Sequence, residues 1–170
     1  MNLTQHVKAL LTLALLGVLV VVGLTWGWSA MTSPFPHSAK TKLCLRTTLQ
    51  PGDRVSAPKV IVSVFNGSQR LGLAERTMSE FQDQGFGPGK VGNAPKGTIV
   101  PFAQVWSTHP GDPAVRLVVS RLGPLAHVLK KHHGGLGIIV VVGTRFQKLV
   151  PGLSSVKVTQ PTTICSPPTG

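Results

Sequence analysis

From Ala9 to Ala30 the chain carries no charged side chain, and the run ALLTLALLGVLVVVGLTWGWSA is apolar almost throughout. A spanning helix needs roughly 20 such residues, because every backbone polar group in lipid must be bonded within the segment. Trp26 and Trp28 close the run, where indole rings favour the headgroup layer. A cleaved signal peptide is the alternative. Its apolar core is about 7–15 residues long and ends at a small-x-small site. Cleavage after Ala30 would put Trp28 at the −3 place, whereas cleavage after Ser29 puts Gly27 there. The length of the run favours an uncleaved anchor over residues 9–30, with residues 1–8 as a cytoplasmic tail.

Positive charges alone point the other way, because Lys8 stands before the run and Lys40, Lys42 and Arg46 follow it. Two considerations outweigh that count. Long domains translocate largely regardless of charge. The two cysteines, Cys44 and Cys165, flank the folded region, as a disulfide clasp formed outside the cytoplasm would. The expected arrangement is a single-pass membrane protein with its N-terminus in the cytoplasm and its bulk outside.

Residues 31–58 read as a linker rich in Pro, Ser and Thr, and residues 151–170 as a tail of similar character. Residues 59–150 between them alternate element signals. Lys59–Phe65 is an apolar, β-branched strand. Asn66–Gly67–Ser68 is a turn and helix cap, after which Leu71, Ala74, Met78 and Phe81 recur at helical spacing until Gly85. Phe86–Gly92 and Thr98–Trp106 read as strands, with Pro101 marking an edge or bulge. Asp112–Pro113 opens a second helix whose stripe is Val115, Val118, Val119 and Leu122. Ala126–Leu129 is a short strand, and Ile138–Val142 is the most apolar one and therefore central. The fold class expected is α/β (α+β): one sheet of four to five strands with two helices packed on one face.

Composition narrows the chemistry. Lys and Arg number 17 against five acids, Asp53, Glu75, Glu80, Asp83 and Asp112, for a net charge of +12. So few carboxylates argue against paired-acid hydrolysis and against an oxygen-ligand metal site. Aromatics are 5% and Tyr is absent, which disfavours a stacking platform for single-stranded nucleic acid. No nucleic-acid partner and no cofactor is expected.

Two polar clusters stand out. Asn66, Gly67, Ser68 and Arg70 lie between a strand and a helix N-terminus, where an anion can bind, although the same residues suffice to build a turn and cap. Gly67 and Gly72 have the spacing of a phosphate loop, but Leu73–Ala74 replaces the Lys-Ser/Thr that such a loop needs. Lys130, Lys131, His132 and His133 form an exposed basic loop suited to phosphate-bearing polymers or lipid headgroups, or simply a solvated one. His127, His132 and His133 lack the spacing and further ligands of a metal site. A triad of Ser68, His109 and Asp112 can be drawn, but Ser68 lacks a nucleophile elbow. No catalytic residue and no metal ligand is expected.

Val62–Phe86 (VSVFNGSQRLGLAERTMSEFQDQGF), Val91–Pro95 (VGNAP) and Val140–Phe146 (VVVGTRF) together resemble the LytR C-terminal domain family. With one anchor and a cysteine pair, the chain most resembles the membrane-anchored envelope-integrity proteins of actinobacteria. The resemblance implies an extracytoplasmic domain of the cell envelope. Many members follow a LytR-CpsA-Psr domain that attaches glycopolymers to peptidoglycan. That catalytic domain is absent here, so its activity does not carry over. The expectation is a non-enzymatic module supporting envelope integrity, binding cell-wall polymer or an envelope protein such as a glycopolymer transferase. The alternative is an accessory or enzyme in attaching glycopolymers to peptidoglycan.

Overall fold

A computed structural model describes residues 3–32 and 44–168 of the chain. The molecule divides into two compact units, Met1–Thr41 and Lys42–Gly170. The first is a single helix, α1 (Leu3–Thr32). Within it, His6–Trp28 contains an 18-residue window of mean hydropathy 2.5 and is long and apolar enough to cross a membrane. Its aliphatic side chains stand exposed along the described length, from Leu10 and Leu11 to Leu24. An apolar surface of this kind calls for an apolar surrounding. Thr12 donates its hydroxyl to the Lys8 carbonyl and Thr25 to that of Val22.

The second unit is built on five strands in the order β4-β3-β7-β5-β6. These are β3 (Ile61–Asn66), β4 (Gly87–Asn93), β5 (Ala103–Trp106), β6 (Ala126–Leu129) and β7 (Ile138–Val142). β3 lies parallel to both β4 and β7, β5 runs antiparallel to β7, and β6 is parallel to β5. The uninterrupted apolar run of Ile138–Val142 takes the central place, since a strand covered on both faces needs no polar alternation.

Helices α2 (Leu73–Asp83) and α3 (Pro113–Leu122) pack on one face. Their buried residues, Leu73, Ala74, Met78 and Phe81 from α2 and Ala114, Val115, Leu117, Val118 and Leu122 from α3, meet Val62, Val64, Val105, Val140 and Val142. The other face carries a smaller cluster of Phe65, Val100, Trp106, Ile139 and Val141. The period of two along β3 and β7 divides the side chains between the two clusters.

The expected helix stripe is shifted at its start. Leu71 is 95% exposed and Leu73 fills the core place instead. Gly72, at φ +69°, sits immediately before the helix, so Leu71 belongs to the preceding turn. Thr98–Trp106 contributes only Ala103–Trp106 to the sheet, consistent with the break at Pro101.

The larger correction concerns the flanks. Of the expected linker, residues 33–43 lie outside the described residues, but 44–58 do not form a linker. They contain β1 (Leu45–Leu49), β2 (Arg54–Ser56) and the start of a short 3-10 turn. The expected tail likewise contains β8 (Ser155–Lys157) and β9 (Thr162–Ser166). β1 pairs with β9 and β2 with β8, both antiparallel. Leu49, Val55, Val156, Val158 and Ile164 from these segments join the main core. Thr-rich runs with few large apolar residues look unstructured locally, yet threonine is a good strand former. Their partners lie 99 to 121 residues away, which no local pattern reveals.

Candidate functional site

The turn after β3 satisfies its own polar groups. The Asn66 amide Nδ2 donates to the Arg70 carbonyl at 2.6 Å, while Asn66 Oδ1 accepts from the Ser68 N–H at 2.9 Å and the Ser68 hydroxyl at 2.8 Å. The Arg70 N–H in turn donates to Ser68 Oγ. Gly67 N–H donates to the Val142 carbonyl, and a Cβ at Gly67 would lie 2.9 Å from Val141 Cγ1, so close approach to β7 requires glycine. The helix begins only at Leu73, with no side-chain cap. The expected cap residues therefore bond the turn itself.

Arg70, expected to add charge to an anion site, is committed elsewhere. Its Nη1 donates to the Phe146 carbonyl at 2.6 Å and to that of Thr144 at 3.3 Å, clamping the turn to the segment after β7. Arg70→Ala should lower stability by about 1–2 kcal/mol, the usual worth of a part-exposed, charge-assisted pair. Urea unfolding measures this, and an unchanged midpoint would mean the clamp is not formed in solution.

The basic segment joins β6 to β7 and lies against the face of the sheet opposite the helices. The His133 ring meets Phe65 edge-on at 4.6 Å between centroids and Trp106 at 5.9 Å. Lys131 Nζ stands 5.3 Å from the Trp106 ring centre, within cation–π range. Beneath it, the fully buried Ser63 hydroxyl donates to the Leu136 carbonyl at 2.7 Å and accepts from the Leu136 and Lys90 N–H groups at 2.9 Å each. Lys130, Lys131 and His132 are exposed, whereas His133 is half-buried. The segment is thus a fixed cationic rim, and His133 is one of its packing residues. Ser63 is absent from the sequence-based site; its one signal is a lone hydroxyl in an apolar strand, which burial obliges to find partners.

The triad drawn from sequence is not assembled. Asn66 pairs with Val142 at one end of β7, while Trp106 pairs with Ile139 at the other. Ser68 follows the first and His109 the second, so the sheet's length separates them. Asp112 Oδ1 accepts from the Thr162 hydroxyl at 2.8 Å. Among the described residues there is no group of three or more His, Cys, Asp or Glu that could hold a metal. Cys44 and Cys165 are joined, with their Cα atoms 5.1 Å apart.

The C-terminal ends of β3, β4 and β7 open into a groove of about 550 Å³ that includes Asn66, Gly67, Asn93, Ala94, Pro95 and Thr144. Three separated motifs of the sequence converge there. The family model described as "LytR cell envelope-related transcriptional attenuator", LytR_C, matches residues 59–146, more than half of the chain.

The chain belongs to the LytR_C family.

The match spans β3 to just past β7, so the five-stranded sheet with its two helices is the LytR_C portion, and the β1–β9 and β2–β8 pairs lie outside it. Among solved structures, the crystal structure of the soluble domain of a conserved hypothetical secreted protein from Mycobacterium marinum, an Rv2700 ortholog, is similar in fold. The TM-score is 0.50 at 21% identity, over 65% of this chain and 78% of that one. No curated protein matches the sequence. A LytR_C domain following a helix fit to span a membrane indicates an envelope-associated protein.

Proposed function

We propose that this LytR_C protein is a single-pass membrane protein, N-terminus in the cytoplasm, whose extracytoplasmic domain binds anionic cell-envelope polymer without catalysing a reaction. The observation that carries this reading is the pinned cationic segment Lys130–His133. Beyond residue 30 the chain has 16 basic and 5 acidic side chains, an excess of +11. Three of the five acids are occupied in the fold: Asp53 accepts from the Gln50 N–H, Glu80 from the Leu149 N–H, and Asp112 from Thr162. Those bonds support a structural duty for the carboxylates.

A fixed rim loses less conformational entropy on binding than a mobile loop. Attraction of this kind is screened as salt rises, with a Debye length of about 10 Å at 0.1 M. The full chain in detergent micelles should be retained on isolated wall material at about 0.05 M salt and released near 0.5 M. K130A/K131A should weaken retention by roughly tenfold, at about 1 kcal/mol or somewhat less per lysine near an anionic surface. No retention at low salt would overturn polymer binding and leave an envelope protein as the partner.

A further inference from the structure

A second concave region lies between the β1–β9 ribbon and the end of the sheet where β5 finishes. Two adjoining stretches, of about 460 and 710 Å³, share Thr108, His109, Asp112 and Thr163 and so form one trench. Its two ends differ in chemistry. The smaller stretch holds Arg46 and His132, the second of which is part of the cationic rim. The larger one is lined by threonine hydroxyls and by the rings of Pro110, Pro113 and Pro161.

Strand alternation builds the ribbon side. Arg46 and Thr48 are two apart in β1, opposite Cys165 and Thr163 of β9, so all four share one face. The Thr48 and Thr163 hydroxyl oxygens lie 3.5 Å apart, and Thr108 Oγ1 is 3.0 Å from His109 Nδ1. These side chains bond one another. Each such contact spends one hydrogen, while every threonine oxygen keeps a lone pair to accept with, which suits a ligand whose own hydroxyls can donate. Among the described residues lining the trench there is no Phe, Trp or Tyr, which disfavours a stacked nucleobase. Asp112, with one oxygen held by Thr162, can accept a ligand hydroxyl. Arg46 and His132 line only the smaller stretch, which is therefore the end that attracts a ligand's negative charge.

We propose that this trench binds an oligosaccharide bearing an anionic substituent, its charge at Arg46 and His132 and its hydroxyls on Thr48, Thr108 and Thr163. The inference deepens the polymer-binding reading and rests on it, because it assigns the sugar portion of the polymer a site. It differs in requiring shape and hydroxyl recognition as well as charge.

The full chain in detergent micelles, titrated with tetragalacturonate, its neutral methyl ester and inorganic phosphate, tests this. Tetragalacturonate should bind roughly tenfold tighter than the ester, and R46A/H132A should abolish that preference. T108V/T163V should weaken both sugars about fivefold. Circular dichroism identifies any variant that fails to fold, in which case R46Q and T108S serve as milder replacements, with T108S retaining sugar binding. Equal affinity for acid and ester, unchanged binding by folded R46A/H132A, or competition by phosphate as strong as by the tetrasaccharide would overturn the trench. If wall retention still falls in K130A/K131A, polymer binding survives that failure. Loss of wall retention altogether, with tetragalacturonate still bound at Arg46, would instead overturn the broader reading.

Discussion

Replacing both cysteines by serine should lower the stability of the folded domain by about 3–4 kcal/mol and its Tm by roughly 10–20 °C. Cys44 and Cys165 are 121 residues apart in sequence, so the bond closes a loop containing nearly the whole domain. Loop-closure entropy for such a length sets an upper figure of about 5 kcal/mol. Besides the bond, the β1–β9 ribbon is tied to the rest of the domain by the Thr162 hydroxyl on Asp112 and the Ser166 hydroxyl on the Lys59 carbonyl. Its two strands form a sheet of their own, and only Leu49 and Ile164 reach the main core. Without the bond the ribbon should open first, exposing these two residues and removing one wall of the trench. Urea unfolding of C44S/C165S should match that of the wild-type chain under reductant. A loss below about 1 kcal/mol would show that strand pairing alone holds the ribbon.

The domain's centre was legible because its signals are local. Ile138–Val142 is an uninterrupted β-branched run between glycines, and such a run has one comfortable place, at the middle of a covered sheet. Ala126–Leu129 and the helix after Asp112–Pro113 likewise announce themselves within a few residues. The flanks were not legible. Leu45–Leu49 and Thr162–Ser166 are each too polar to signal a strand, and what makes them strands is each other.

The candidate site divides on the same line. The basic residues 130–133 and the polar turn at 66–70 are visible as clusters, but what they bond is long-range. Arg70 reaches carbonyls 74 and 76 residues on, and Ser63 holds a residue 73 positions away. The sequence therefore names the charged groups without revealing that one is spent on structure and that the others lie on a pinned rim. The trench was missed altogether, since Arg46 and His132 come to line one stretch only through the ribbon.

Gly137→Ala should be the most damaging single change of the basic segment, costing about 3 kcal/mol or more. Gly137 ends that segment and turns the chain into β7 at φ +68°, a conformation that costs an L side chain roughly 1–2 kcal/mol. An added Cβ would also overlap the Ile61 carbonyl oxygen, and would lie 2.6 Å from the Ile61 carbonyl carbon. Both are backbone atoms at the start of β3, the strand that pairs with β7 through Val62 and Ile138. Relief therefore requires the two central strands to part where the rim is attached, which loosens the Ser63–Leu136 bonds as well. Gly134→Ala is the matched control. It lies three residues earlier in the same segment, has no positive φ, and its Cβ would meet nothing within 4 Å. That substitution should change stability by less than about 0.5 kcal/mol. The pair also separates charge from geometry, since neither replacement alters a charged group. If the rim acts because it is held in place, G137A should lose wall retention at temperatures where its circular dichroism is still folded, while G134A keeps it. Equal retention by both folded variants would mean that net charge alone binds polymer and that pinning by Ser63 and Trp106 serves stability only.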